Sequence, residues 1–179
     1  MAISFHRMTS ADAEDLYQFL TTNRFPFHVN SAPTADQVLG TIEGGRFWGE
    51  DAQAYWINAN DCRIGMVTLE DLKDDTPMFD LRLTESKRGQ GAGVKVLRAL
   101  CDLVFTSMPE TIRFEGQTRE DNIAMRKTFL RSGFVKEAHY RMGWQIAGGE
   151  RLTSVAYAIL RQDWESGTTT PVEWEETVA

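Results

Sequence analysis

The stretch from residue 76 to residue 105 constrains the fold more than any other part of the sequence. It begins with a short segment, 78–83, in which four apolar residues surround one Asp and one Arg, a composition typical of a β-strand. A glycine-rich segment, Arg88–Gly93, follows, and apolar residues then recur at helical spacing up to residue 104. The sequence therefore predicts a strand, a glycine-rich loop and an amphipathic helix that ends before Pro109.

The glycine-rich loop lies at a position where a helix can bind an anion. The first turn of a helix has backbone N–H groups without partners and carries the positive end of the helix dipole. A phosphate group can therefore bind there, and glycines let the backbone approach it closely. Lys87 and Arg88 add positive charge at the same place. We interpret the loop as a binding site for a pyrophosphate group.

Other interpretations of the loop fit less well. A loop that only caps the helix would not need three alternating glycines, Gly89, Gly91 and Gly93, although the spacing permits it. A nucleotide-binding P-loop ends in Gly-Lys-Ser or Gly-Lys-Thr, but here Val94 follows the last glycine. A dinucleotide-binding fingerprint has the spacing G-x-G-x-x-G, whereas this loop has G-x-G-x-G.

Length and composition limit the classes of protein to consider. The chain has 179 residues, 42% of them hydrophobic, which suits a single domain with one sizeable core. The formal net charge of −7 argues against a nucleic-acid partner. The N-terminus does not read as a signal peptide, and no apolar run approaches membrane-spanning length. We therefore expect a cytoplasmic protein without a membrane partner.

The cysteine and histidine residues indicate neither a disulfide nor a metal site. Cys62 and Cys101 lie far apart in the chain, and Cys101 belongs to the apolar helix pattern, so we expect two free thiols. The three histidines, His6, His28 and His139, lack the spacing of metal ligands.

The rest of the chain predicts six more strands and three more helices around this central stretch. Strands are predicted at 2–8, 53–59, 63–70, 111–118, 135–146 and 152–160, and helices from about 9, 33 and 121. The strand–helix–strand order across the loop predicts a parallel pair. We expect one domain over 1–164 and an acidic C-terminal tail over 165–179, which Trp174 could dock.

Two motifs resemble those of one known superfamily. Arg88-x-x-Gly91-x-Gly93 resembles the acyl-CoA loop of the GNAT acetyltransferases, Gln/Arg-x-x-Gly-x-Gly/Ala. Asn122 opens a helical segment that ends in Gly133-Phe134, which is similar to the second GNAT signature. The order of elements also fits over nearly the whole chain, roughly residues 3–164. The segment 160–164 is further similar to the end of the subfamily that includes the ribosomal-protein N-terminal acetyltransferases.

The resemblance implies an α/β fold and a location for the cosubstrate. The fold would be a mixed, mostly antiparallel sheet of about seven strands, splayed between the strands at 78–84 and 111–117 and flanked by about four helices. The pantetheine arm of acetyl-CoA would enter this gap and pair with free backbone groups near Leu81 and Leu83. Asn122 would reach the arm or a water beside it. The backbone N–H groups expected to hold the pyrophosphate belong to Arg88, Gly89, Gln90, Gly91, Ala92 and Gly93.

The resemblance also implies an activity. The protein would transfer an acetyl group from acetyl-CoA to a primary amine by direct attack in a ternary complex. The acceptor could be a protein N-terminus, a polyamine, an amino acid or an aminoglycoside, and a homodimer is permitted. The alternative is a non-catalytic acyl-CoA-binding or regulatory module. Phe25-Pro26-Phe27-His28 forms a predicted loop that either packs over the edge of the core or lines the acceptor pocket.

Acetyl transfer to an amine requires a base for the amine and a proton for the departing thiolate. Asp80 and Glu115 are the candidate bases, with Glu70 third, and burial in an apolar strand should raise the pKa of Asp80. An ion pair of Asp80 with Arg82 or Arg113 is the alternative. GNAT members often place a proton donor where this chain has Phe129 or Met125, and neither side chain can donate a proton. The thiolate would then leave unassisted or with a proton from another group or water.

Overall fold

A computed structural model describes residues 1–146 and 148–173. Within this part of the chain the sheet strands are β1 Ile3–Arg7, β2 Ala52–Ala59, β3 Cys62–Glu70, β4 Met78–Leu83, β5 Arg113–Arg119, β6 Val135–Gln145 and β7 Arg151–Leu160. The α-helices are α1 Ala13–Thr22, α2 Ala35–Glu43, α3 Ala92–Ser107, α4 Ile123–Arg131 and α5 Arg161–Ser166. Trp174, the expected docking residue of the tail, lies outside the described residues.

The seven strands form one sheet in the order β1-β2-β3-β4-β5-β7-β6, and every neighbouring pair is antiparallel except β4–β5. The parallel pair is joined at one position, Met78 opposite Glu115. The N–H of Glu115 also donates to the carbonyl of Pro77 at 3.1 Å. Beyond this point β4 and β5 diverge, so the predicted α/β fold and its splayed gap are confirmed.

Two apolar clusters lie on opposite faces of the sheet. On one face, α3 and α4 pack against the centre of the sheet through Leu97, Phe114 and Phe129, all fully buried. On the other face, α1 and α2 cover β2 and β3, where Leu16 and Val38 pack with a cluster that includes Trp56. Because α1 and α2 cover only that half of the second face, the region beside β4 and β5 stays open for a cavity.

The chain continues in helical form beyond the boundary expected at residue 164. The short helix α5 was not anticipated, and its first residue, Arg161, donates to the carbonyls of Phe105, Met108 and Thr111 at 2.7–3.0 Å. These carbonyls lie at and beyond the end of α3, where helical carbonyls lack partners. Trp164 also donates to Asp102 of α3 at 2.8 Å. The expected boundary therefore falls inside α5.

Candidate active site

The gap between β4 and β5 opens into a cavity of about 580 Å³. Its walls come from both strands of the gap, from β3, from the start of α4, from the end of β6 and from the segment between α1 and α2. The lining residues used below are Phe27, His28, Glu70, Asp80, Asn122 and Trp144. A volume of this size is typical of sites for small molecules.

The backbone of β4 directs alternate residues toward the gap. The N–H of Thr84 donates to the carbonyl of Ile64 at 2.9 Å, which places the even-numbered residues of β4 in hydrogen-bonded pairs with β3. Leu81 and Leu83 therefore direct their N–H and C=O groups to the opposite side, where β5 has moved away. The C=O of Leu83 accepts from Nε of Arg88, so an extended ligand in the gap would satisfy the remaining groups, the N–H and C=O of Leu81 and the N–H of Leu83, as the resemblance to the GNAT acetyltransferases implies for a pantetheine arm.

The glycine-rich loop leaves open space at the start of α3. Gly91 is the N-cap of the helix, and both Gly89 and Gly91 have positive φ angles, +72° and +76°. A Cβ atom on either would meet nothing within 4 Å, so a ligand can approach the backbone there. Gly93 has a different role, because a Cβ atom there would lie 3.2 Å from Oγ1 of Thr128. Its small size serves the contact between α3 and α4.

The side chain of Arg88 does not extend from the loop into solvent. Its Nε donates to the carbonyl of Leu83 at 2.9 Å, and its Nη2 donates to the carbonyl of Arg24 at 2.5 Å. Burial lowers the pKa of the Arg88 guanidinium, and attraction to Glu85 opposes this. Arg88 thus ties the loop to β4 and to the segment after α1, which leaves the exposed Lys87 as the freer of the two predicted cations.

Asn122 caps α4 and lines the cavity at the same time. Its Oδ1 accepts from the N–H of Met125 at 3.2 Å, and its Nδ2 donates to Oγ1 of Thr118 at 2.9 Å. The preceding residue, Asp121, does not cap the helix, because its carboxylate pairs with Arg119. Both polar groups of the Asn122 side chain therefore already have protein partners.

Asp80 has two side-chain partners at the cavity wall, a histidine and an arginine. Its Oδ1 lies 2.8 Å from Nε2 of His28, and its Oδ2 accepts from Nη2 of Arg82 at 2.7 Å. Burial favours the neutral carboxyl, but attraction to Arg82 and His28 outweighs it and holds the pKa of Asp80 well below its usual range. The expected raised pKa is therefore wrong, and the alternative ion pair with Arg82 is present.

The other two candidate carboxylates differ in their access to the cavity. Glu115 pairs with Arg113 at 2.6 Å and accepts from Nε2 of Gln117 at 2.9 Å, and it is not among the described residues that line the cavity. Glu70 does line the cavity and pairs with Arg46 at 2.6 Å. Burial raises the pKa of Glu70, and attraction to Arg46 opposes this shift.

Sequence reasoning overlooked two polar atoms at this site. Nδ1 of His28 and Nε1 of Trp144 are buried, and neither has a hydrogen-bond partner in the described part of the chain. The only sequence signal was the aromatic loop before α2, for which two roles were open. In the structure different residues of the loop take the two roles. Phe25 is 1% exposed and packs in the core, whereas Phe27 and His28 line the cavity.

The two positions at which GNAT members often have a proton donor, Phe129 and Met125, are apolar and well packed in this chain. Phe129 is fully buried, and its ring stacks on that of Tyr157 with centroids 4.8 Å apart. Met125 lines the cavity near Asn122. Neither side chain can donate a proton to a leaving thiolate.

Comparison with known families identifies the class of this architecture. The sequence model of the acetyltransferase (GNAT) domain family matches residues 3–135, which is more than half of the chain. The chain therefore belongs to this family, and the predicted enzyme class, an acyltransferase, is confirmed.

Solved structures share the fold over almost the whole chain. A chimera of the spermidine N-acetyltransferase from Vibrio cholerae and hSSAT is 14% identical, with a TM-score of 0.77 over 92% of this chain and 99% of that one. The aminoglycoside acetyltransferase AAC(6')-Ib in complex with coenzyme A is 21% identical, with a TM-score of 0.74 over 92% and 98%. The Vibrio cholerae spermidine N-acetyltransferase with CoA and spermine is 14% identical, with a TM-score of 0.72 over 91% and 98%. At these identities the likeness shows a common fold.

The described residues offer neither a membrane-spanning helix nor a metal-binding cluster. None of the helices within residues 1–146 and 148–173 is long and apolar enough to cross a membrane. The same residues contain no group of three or more His, Cys, Asp or Glu side chains arranged to hold a metal ion.

Proposed function

We propose that this protein transfers an acetyl group from acetyl-CoA to a primary amine by direct attack within a ternary complex. The observation that carries the proposal is the gap between β4 and β5, which are joined only at Met78 and Glu115. The glycine-rich loop follows β4 after one short turn, Glu85–Lys87, and the cavity opens from the gap. One strand therefore connects an anion-binding loop to a pocket for a second substrate.

The residues that would hold acetyl-CoA fit its chemistry. The backbone N–H groups of Arg88–Gly93 would bind the pyrophosphate, since Gly89 and Gly91 leave open space there. The backbone of Leu81 and Leu83 would pair with the pantetheine arm. When bound, acetyl-CoA supplies a thioester whose carbonyl carbon the amine attacks. An N–H group of β4 near Leu83 would stabilise the oxyanion.

The departing thiolate would leave without help from the usual positions. Phe129 and Met125 carry no exchangeable proton, so water would protonate the sulfur after the C–S bond breaks. This route is chemically reasonable because a thiol has an ordinary pKa of about 8.5 and its anion is a good leaving group.

The acceptor that fits best is a small-molecule amine. The cavity of about 580 Å³ suits a small molecule. The two carboxylates that line it, Glu70 and Asp80, are each paired with an arginine, so the net negative charge of the chain is not concentrated in the cavity. The structurally similar enzymes are named for spermidine and aminoglycosides, which are both amines. Membership of the ribosomal-protein subfamily would instead imply a protein N-terminus.

A non-catalytic acyl-CoA-binding module is the second candidate function. The apolar side chains at Phe129 and Met125 favour it, because they remove the usual proton donors. The module and the enzyme both predict that acetyl-CoA binds, but only the enzyme releases CoA thiol when an amine is added.

The test is a thiol-release assay with acetyl-CoA and a panel of amines. The panel should contain spermidine, an aminoglycoside, an amino acid amide and a short peptide with a free N-terminus. We expect thiol release that depends on one class of amine, with a matching acetylated product by mass spectrometry. Binding of acetyl-CoA without thiol release for any amine would support the module instead.

A further inference from the structure

The imidazole of His28 is fixed at the wall of the cavity. Its Nε2 lies 2.8 Å from Oδ1 of Asp80, and its side chain is 24% exposed. The segment that carries it is held in place on both sides, since the ring of Phe25 packs edge-on at 5.6 Å and Arg119 donates to the carbonyl of Pro26 at 2.9 Å. A loop residue is thereby positioned against the strand that borders the gap.

The bond to Asp80 determines which ring nitrogen carries the proton. An ionised carboxylate can only accept hydrogen bonds, so Nε2 of His28 must be the donor. In the neutral imidazole, Nδ1 then carries the lone pair. Nδ1 is buried and has no hydrogen-bond partner within the described residues. A buried acceptor without a partner is unfavourable, and a bound donor would remove that cost.

We propose that His28 is the general base of the acetyl transfer and that Asp80 is its positioning residue. This inference rests on the function proposed above and names the proton acceptor for that reaction. The amine nitrogen forms a bond to the thioester carbonyl carbon and loses one proton to Nδ1 of His28. The C–S bond then breaks, and the sulfur leaves with the electron pair. The imidazolium returns its proton to water, and the thiolate takes one proton from water.

His28 suits this role better than the carboxylates around it. Asp80 has its charge stabilised by two donors and gains little from a proton at neutral pH. Glu70 is engaged by Arg46, and Glu115 lies away from the cavity lining. An imidazole has an ordinary pKa of about 6.5, so this type of side chain can accept and release a proton near neutral pH. Catalytic hydrogen bonds often form fully only when the substrate is bound.

The charged groups around His28 must be considered in any pH experiment. Asp80 and Arg82 face it from β4. Glu70 on β3 and its partner Arg46 line the same cavity. From β5, Arg119 donates to the loop that carries His28. Substitution of His28 alone leaves all five of these groups in place, which makes it the cleanest variant for a pH profile.

The first test compares His28→Gln with the matched control His139→Gln. His139 is exposed on β6 and lies 3.4 Å from Glu120, outside the cavity lining. With the amine that supports thiol release, we expect His28→Gln to lower kcat/KM by about 100- to 10 000-fold. The control should stay close to the wild type. Both variants should keep the thermal shift with acetyl-CoA, which shows that the fold and the cosubstrate site are intact.

The second test measures the imidazole itself, without substrate. In ¹⁵N-labelled free protein, the neutral His28 ring should carry its proton on Nε2. The signal that disappears in His28→Gln identifies it. In Asp80→Asn, Arg82 can only donate hydrogen bonds, so it will bond to the oxygen of the new amide. The NH₂ group of that amide then faces His28. The proton should then move to Nδ1, and activity should fall nearly as far as in His28→Gln.

The outcomes separate the two proposals. A wild-type protein that releases no thiol with any amine contradicts the proposed function and, with it, the base role. An active wild type whose His28→Gln variant keeps kcat/KM within about threefold overturns only the role of His28, since a general base is worth far more than that. A neutral ring with its proton on Nδ1 in the free wild type also overturns it. A double variant no slower than either single variant would confirm that the two residues act as one unit.

Discussion

Replacement of Gly91 by tryptophan tests the glycine-rich loop as the cosubstrate site. Gly91 caps α3 with a φ angle of +76°, and a Cβ atom there would meet nothing within 4 Å. An indole group would therefore occupy the open space at the helix start without striking the protein. The positive φ angle itself strains any residue with a side chain, by about 1–2 kcal/mol.

A control variant is needed because backbone strain alone lowers stability. Gly167 follows α5, has a φ angle of +69° and also has open space at its Cβ position. Gly167→Trp should therefore carry a similar strain outside the glycine-rich loop. For a chain of this size, about 1–2 kcal/mol lowers the melting temperature by about 2–8 °C, and both variants should show this loss.

The assay is thermal unfolding with and without acetyl-CoA. At about 100 times its dissociation constant a ligand stabilises by about 2.7 kcal/mol, which corresponds to about 5–10 °C here. The wild type and Gly167→Trp should show this increase, and Gly91→Trp should lose most of it. An equal increase in both variants would refute binding at the loop. The absence of any increase in the wild type at millimolar acetyl-CoA would refute the cosubstrate itself.

Three further predictions concern stability. Gly116→Ala should cost about 1–3 kcal/mol by urea denaturation, because its Cβ would lie 2.7 Å from the ring atoms of Phe129, and an unchanged midpoint would contradict this packing. Arg161→Gln should lower the free energy of unfolding by about 1.5–3 kcal/mol, because the carbonyls at and beyond the end of α3 lose a charged donor. A loss smaller than the error of the measurement would argue against a stabilising role for these hydrogen bonds. The depressed pKa of Asp80 stabilises the fold above the ordinary carboxyl pKa of about 3.9, and this contribution is lost as pH falls through the folded value. The stability difference between wild type and Asp80→Asn should thus shrink below about pH 4, and a constant difference would count against it.

The glycine-rich loop could be predicted from sequence because its cause is local. Gly89 and Gly91 adopt positive φ angles that other residues rarely take, and an apolar helix pattern follows them directly. The turn between β2 and β3 also has a local cause, because Asn60 and Asp61 both adopt positive φ angles there. Steric preferences of this kind depend only on neighbouring residues. The strand–loop–helix order could therefore be predicted without knowledge of the rest of the fold.

The electrostatics of the site could not be predicted in the same way. The expected pKa shift of Asp80 had the wrong sign because burial is only one of its causes. Its partner His28 is 52 residues away in sequence, and no local pattern indicates that the loop after α1 returns to β4. The helix α5 was also missed, because Arg161 owes its position to carbonyls about 50 residues earlier in the chain.

The alternation of β4 explains how one strand can serve the core, the gap and the cavity. Side chains on a strand alternate between the two faces, and those of Phe79 and Leu81 pack toward the α3 core, while Asp80 contacts both His28 and Arg82 on the other face. The backbone groups of the odd-numbered residues point along the sheet into the gap. A shift by one residue would move the carboxylate into the core and leucine into the cavity. The pairing with β3 sets the observed register, which places Gly65 opposite Leu83, where only a glycine fits because a Cβ atom would come within 2.3 Å of the carbonyl oxygen of Arg82.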